Sequence, residues 1–239
     1  MSVFSLRVVI KNLQDSREDE DDLDMDSYIA AYRELSKFFE GLGSLFGFIN
    51  SDVKSKLDIL DDYRKSDDVG DNYETLNSMI EYEKEEGIIA DEKKPSGSRT
   101  LLRLHRALEF IAALFKCREG SVGPFPHCPL PEVFQYKGTL PSMKGWAELS
   151  ALPTMMHLLR KMAKESYDQT LAKYHPWLIR KGASVAMLTL PKVQDIFAKA
   201  LPEEKKDLRQ LVTGVSEEAT KVYNFTQSVY EENNILDLP

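Results

Sequence analysis

Alternation of apolar and polar residues, the mark of a half-buried strand, is almost absent from this 239-residue chain. That absence excludes a sheet-built fold and leaves helices to form the core. No apolar run reaches 18 residues, so no membrane-spanning helix is expected. Residues 1–13 (MSVFSLRVVIKNL) are too short and too polar for a span or a secretory leader. Cysteine is scarce: Cys117 and Cys128 fit a reducing compartment. With His127 they lack a fourth ligand at finger spacing, so no zinc site or other metal is expected. Asn224-Phe225-Thr226 matches a glycosylation acceptor, but without secretion the match is fortuitous. Positive charge is not in excess either. The net charge is −8, and residues 15–26 (DSREDEDDLDMD) carry −7 of it. That run reads as a solvated loop, and binding of nucleic acid by the whole protein is disfavoured.

What the chain does have is helical spacing. Helices are predicted from about Ser27 to Leu45, with Ile29, Tyr32, Leu35, Phe38, Phe39 and Leu42 inward. Others are predicted over Ser51–Lys65, Asp71–Ile89 and Ser98–Phe115. From Arg118 to about Leu152 the pattern breaks into a proline- and glycine-rich insert centred on GPFPHCPLPE. Helical spacing resumes from Pro153 through Tyr174. His175-Pro176 then marks a junction, because the residue before proline avoids the helical region while proline suits a helix start. Pro191 and Pro202 read as further helix starts, and a last helix carries Val212 to Tyr230. The expectation is one all-α domain over 1–239 with seven or eight helices and an insert at about 118–152.

Three stretches place polar groups where apolar ones belong. Arg99, Arg103 and Arg106 fall within an arc of about 60° on one helix. The same strip continues through Phe110 and Leu114, running from cationic to apolar. Asp52 and Lys56, spaced i,i+4, share a face with Phe48, Ile49, Ile59 and Leu60. His175 is the third. Taken singly, each has an ordinary structural reading as an exposed ion pair, a solvated helix start or a satisfied histidine. Together Lys56, Arg99 and Arg103 against Asp52 leave a local charge of about +2, which matches a phosphate monoester near neutral pH. Arginine's planar fork suits phosphate oxygens and lysine adds a point charge. Hydrocarbon behind such a head group would make the ligand a phospholipid.

The stretches FINSDVKSKLDIL, RTLLRLHRAL, YHPWLIRKGASVAMLTLP and the closing VYEENNILDLP also carry a resemblance. In this order they resemble the glycolipid transfer protein family over nearly the whole chain except the insert. The resemblance implies a two-layer all-helical sandwich enclosing a lipid pocket. Asp52 is then expected at the sphingoid amide and hydroxyl region, and His175 at the acyl amide carbonyl. Glycolipid-specific members have Asn at the Lys56 position and Trp at the Arg103 position. Lys56 and Arg103, with Arg99 one turn earlier, match the phosphate-specific branch instead. Arg106 keeps its structural reading. Candidate pocket residues, by helix face and resemblance, are Phe38, Phe46, Ile49, Val53, Leu108, Phe110, Ile111, Leu114, Val185 and Met187.

The function implied is transfer of ceramide-1-phosphate between membranes by a soluble monomer, with no cofactor. Trp177 is placed by resemblance near a membrane-docking face, where Arg180 and Lys181 could meet anionic lipid heads. The expected location is the cytosol, with peripheral association with Golgi, plasma and endosomal membranes. An enzyme using His175 and Asp52 as acid and base finds no metal cluster or activated nucleophile to support it. A sphingolipid-phosphate sensor that binds without delivering, and a helical interaction scaffold, are the alternatives.

Overall fold

A computed structural model describes residues 4–42, 44–91, 93–116, 153–190 and 208–239. The Arg118–Leu152 insert and the helix starts at Pro191 and Pro202 lie outside them. Eight α-helices are present among the described residues: α1 (Leu6–Asp15), α2 (Met25–Gly41), α3 (Ser44–Arg64), α4 (Leu76–Glu85), α5 (Gly97–Phe115), α6 (Pro153–Gln169), α7 (Trp177–Leu188) and α8 (Leu208–Glu232). Short 3-10 turns sit at Gly70–Tyr73 and Ala172–Tyr174. No strand occurs among the described residues; one isolated bridge joins Asp24 to Thr75.

Local chemistry sets the helix starts. The Asp24 carboxylate accepts from the Ser27 N–H at 2.7 Å and caps α2. Thr75 and Ser78 form a capping box on α4, which is why the helix expected over 71–89 begins late, after a 3-10 turn. Ser96 accepts from the Arg99 N–H at 3.1 Å and starts α5 where the sequence reading places it. Two helices differ more. α3 takes in the FGFIN stretch and begins at Ser44 instead of Ser51. α6 stops at Gln169, and a 3-10 turn delivers the chain to His175.

α1 occupies residues the sequence reading left without an element. Leu6, Val9 and Leu13 lie on one face and are fully buried against α2 and α8. The acidic run is also less solvated than expected. Leu23 and Met25 are buried within it, and Met25 N–H reaches the Glu74 carbonyl at 2.9 Å. The predicted inward residues of α2 are all buried. Each large side chain so buried contributes about 1.5–3 kcal/mol.

α5 is central, packing against α3, α4, α6 and α8. Its N-terminus is held by a fully buried carboxylate. Glu83 accepts from Gly97 N–H at 2.5 Å, from Ser98 N–H at 3.0 Å and from the Tyr73 hydroxyl at 3.1 Å. An anion at the positive end of a helix satisfies otherwise unpaired donors and interacts favourably with the helix dipole. The approach is close enough to require glycine: a Cβ on Gly97 would lie 2.6 Å from Met79 Sδ and 2.8 Å from Tyr73 Cε1.

Two expectations follow. Glu83→Ala strands two buried N–H groups at about 1–3 kcal/mol each, so urea unfolding is expected to show a loss of about 3 kcal/mol or more. The second concerns acid stability. His105 is 1% exposed, its Nε2 lies 2.8 Å from Gln227 Oε1, and its ring stacks on Tyr223. Burial first, with Arg106 adding to it, pushes its pKa from 6.5 to about 4, against the upward pull of Gln227. The unfolded chain therefore takes up this proton first, and about 3 kcal/mol of stability is lost as pH falls from about 6.5 to about 4. Denaturation across that window checks this: His105→Phe is expected to flatten the slope, and an unchanged slope would contradict it.

Candidate functional site

The arginine stripe of α5 lies under residues 235–239, which follow α8. Arg99 Nε donates to the main-chain oxygen of Pro239 at 2.5 Å, and Arg103 donates to the same oxygen at 2.9 Å. A second Arg99 nitrogen reaches the Asp91 carbonyl at 3.1 Å. Arg106 behaves differently. It donates to the Leu236 carbonyl at 2.8 Å and lies over the Tyr174 ring, 4.1 Å from its centroid. Arg99 and Arg103 thus converge on one oxygen, while Arg106 joins the tail to the segment that carries His175.

On the facing helix, α3, Lys56 donates to Asp52 at 2.5 Å; the lysine is largely covered and the carboxylate mostly open. Electrostatics ties these groups to the arginines. Burial first, then the neighbouring Arg99 and Arg106 guanidiniums, push Arg103 below the ordinary arginine value, and Asp52 pulls it back. His175 is lowered by burial first; Asp52 raises it and Lys56 lowers it. Asp52 therefore acts on both Arg103 and His175. The structure brings Asp52, Lys56, Arg103 and His175 within electrostatic reach, with Arg99 one turn along.

The tautomer of His175 follows from counting protons. Tyr167, buried at the end of α6, places its hydroxyl 2.7 Å from His175 Nδ1. A buried phenol must spend its proton, and Nδ1 is its partner among the described residues, so the hydroxyl donates to Nδ1. The ring proton then sits on Nε2, which has no protein partner among the described residues. A neutral histidine with a free Nε2–H is a donor suited to a carbonyl oxygen.

The candidate pocket residues divide by depth. Phe38, Phe46, Val53, Leu108, Ile111 and Met187 are buried, Phe110 and Leu114 are half-buried, and Ile49 and Val185 lie at the surface. Phe38 also meets Phe4 and Phe115, at centroid distances of 5.3 and 6.0 Å. A groove of about 570 Å³ along α3 is lined by Asn50, Lys54, Asp58 and Asp62 among others, the wrong chemistry for hydrocarbon. α7 buries only Ala186 and Met187. Trp177, Leu178, Val185 and Leu188 are all more than half exposed, with Arg180 and Lys181 beside them. On α3, Phe48 is 70% exposed. Such apolar exposure marks an interaction surface.

Sequence reading missed Tyr167, whose eight-residue offset from His175 crosses a helix end and a turn and follows no helical period. It also missed the contacts of Leu236 and Pro239. The closing LDLP was legible only as part of a family signature, and a main-chain oxygen leaves no trace in side-chain pattern.

The glycolipid transfer protein (GLTP) family model matches residues 23–121 and 142–202. The ceramide-1-phosphate transfer protein of Danio rerio is 31% identical, over 99% of this chain and 98% of that one. Among solved structures, the mouse ceramide-1-phosphate transfer protein without ligand superposes with a TM-score of 0.76 at 28% identity, covering 99% of this chain and all of that one. The human protein in complex with 12:0 ceramide-1-phosphate gives 0.75 at 27%, with the same coverage. The all-helical sandwich expected from the sequence is the fold of these neighbours.

Co-location of Asp52, Lys56 and His175 has a direct test in a histidine NMR titration. Asp52→Asn removes an anion and is expected to move the His175 midpoint down. Lys56→Met removes a cation and is expected to move it up. A midpoint indifferent to both changes would separate the three groups.

Proposed function

Because the chain belongs to the glycolipid transfer protein family, we propose that it carries ceramide-1-phosphate between membranes without covalent chemistry. The observation that carries this reading is the cationic group of Lys56, Arg99 and Arg103 beside a neutral histidine with a free N–H. Lys56, Arg99 and Arg103 hold the phosphate. Asp52 accepts from the sphingoid amide N–H and hydroxyl, and His175 Nε2 donates to the acyl carbonyl. A sugar head group offers no anionic oxygens to the arginines, so selectivity follows from charge-assisted bonds.

The two hydrocarbon chains carry roughly 30 methylenes, so exposing them to water costs on the order of 20 kcal/mol. A carrier must offer comparable apolar burial while touching the bilayer. The apolar residues facing one another on α2, α3 and α5 supply it, which requires α3 and α5, in contact in this structure, to move apart for the chains. α7 makes the bilayer contact through Trp177 and Leu178, with Arg180 and Lys181 at anionic heads. Among the described residues no helix is long and apolar enough to cross a membrane. In this reading the protein is a cytosolic monomer that visits membrane surfaces.

Fluorescent-lipid transfer between vesicles tests the proposal, comparing ceramide-1-phosphate with a neutral glycosylceramide. The wild type is expected to move the phosphorylated lipid selectively. Arg103→Leu removes a charge-assisted bond worth about 2–3 kcal/mol and is expected to weaken lipid binding by about 30- to 150-fold with the fold intact. Saturable binding without flux would make the protein a sensor, and no binding of either lipid would sink the reading.

A further inference from the structure

The cradle assigned to phosphate already has an occupant. After α8 the chain reverses at Asn234, which has φ of 56°, and the Ile235 N–H reaches back to the Tyr230 carbonyl at 3.0 Å. This is the left-handed helix stop that glycine or asparagine commonly supplies. The reversal lays residues 235–239 along α5. Ile235 is buried, and Leu236 and Leu238 pack half-buried against the core. Arg106 anchors the start of the segment at the Leu236 carbonyl, 2.8 Å away. At its far end Pro239 presents one main-chain oxygen to Arg99 and Arg103 at 2.5 and 2.9 Å.

Two guanidiniums directed at one oxygen is the geometry each would adopt on a phosphate oxygen. The same N–H groups cannot make both sets of bonds. A phosphate monoester carries nearly two negative charges and three strong acceptors, more than the single Pro239 oxygen it would displace. We propose that residues 237–239 form an inhibitory strap over the head-group cradle, closed in the empty protein and displaced by the phosphate of the incoming lipid. The proposal rests on the reading of Lys56, Arg99 and Arg103 as the phosphate site. Because the Leu236 bond to Arg106 lies upstream, only residues 237–239 need to swing.

Short-chain ceramide-1-phosphate and a short-chain neutral glycosylceramide would be titrated by calorimetry into the full chain and into a variant lacking 237–239. The variant is expected to bind the phosphorylated lipid about three- to tenfold more tightly, with no loss of discrimination against the neutral one, because the phosphate no longer has to displace the strap. A second measurement needs no deletion: backbone NMR of the Leu238 amide in the intact chain. Leu238 is expected to be ordered alone and to become mobile as short-chain ceramide-1-phosphate saturates. A Leu238 that stays ordered at saturation, or a folded variant that loses affinity for the phosphorylated lipid, overturns the strap, since the tail would then complete the site. An intact chain that binds neither lipid overturns the phosphate-site reading, and the strap falls with it.

Discussion

The arrangement depends on a buried carboxylate meeting the start of one helix. Glu83 accepts three hydrogen bonds at the N-terminus of α5, two of them from the helix's own first N–H groups. A buried carboxylate is tolerated only when its oxygens are so occupied. The contact fixes where α5 begins and, with Ser96 capping, how it is rotated. Arg99 comes immediately after the two Glu83 contacts, and the helical period then sets Arg103 and Arg106 on the same side. A shift of one residue would turn that stripe by about 100°.

The stripe itself is electrostatically unsatisfied by design of its neighbours. Lys56 has Asp52 as counter-ion, while the three guanidiniums meet main-chain oxygens. Arg99 and Arg106 each work against the charge on Arg103. Asp52 is the carboxylate that acts on Arg103, and it is already paired with Lys56. Perturbed charges concentrated in one place are the physical signature of a binding site, and here they ask for an anion.

What the sequence made legible is what periodicity can carry. The inward residues of α2, the start of α5, the stripe and the His175-Pro176 junction all follow from spacing and from proline's fixed backbone. α1 escaped because a ten-residue helix with buried Leu6, Val9 and Leu13 shows only three matches to the period. The split of 71–89 escaped because a Thr75 cap inside a helical pattern reads as an ordinary polar position. At the site, Asp52, Lys56 and the arginines could be picked as residues, but their meeting depends on helices far apart in sequence. Tyr167 and Pro239 act through a turn and a main-chain atom, neither of which a side-chain pattern records.

Gly97 carries a consequence for descent. Its Cα lies so near Met79, Tyr73 and Glu83 that a Cβ would stand 3.2 Å from the Glu83 carboxylate and closer still to the other two. Glycine at 97, Met79 and Tyr73 are therefore one inherited unit. A lineage that trimmed Met79 and Tyr73 would free position 97 to acquire a side chain, and one that kept them would hold the glycine fixed while the surface around it drifted.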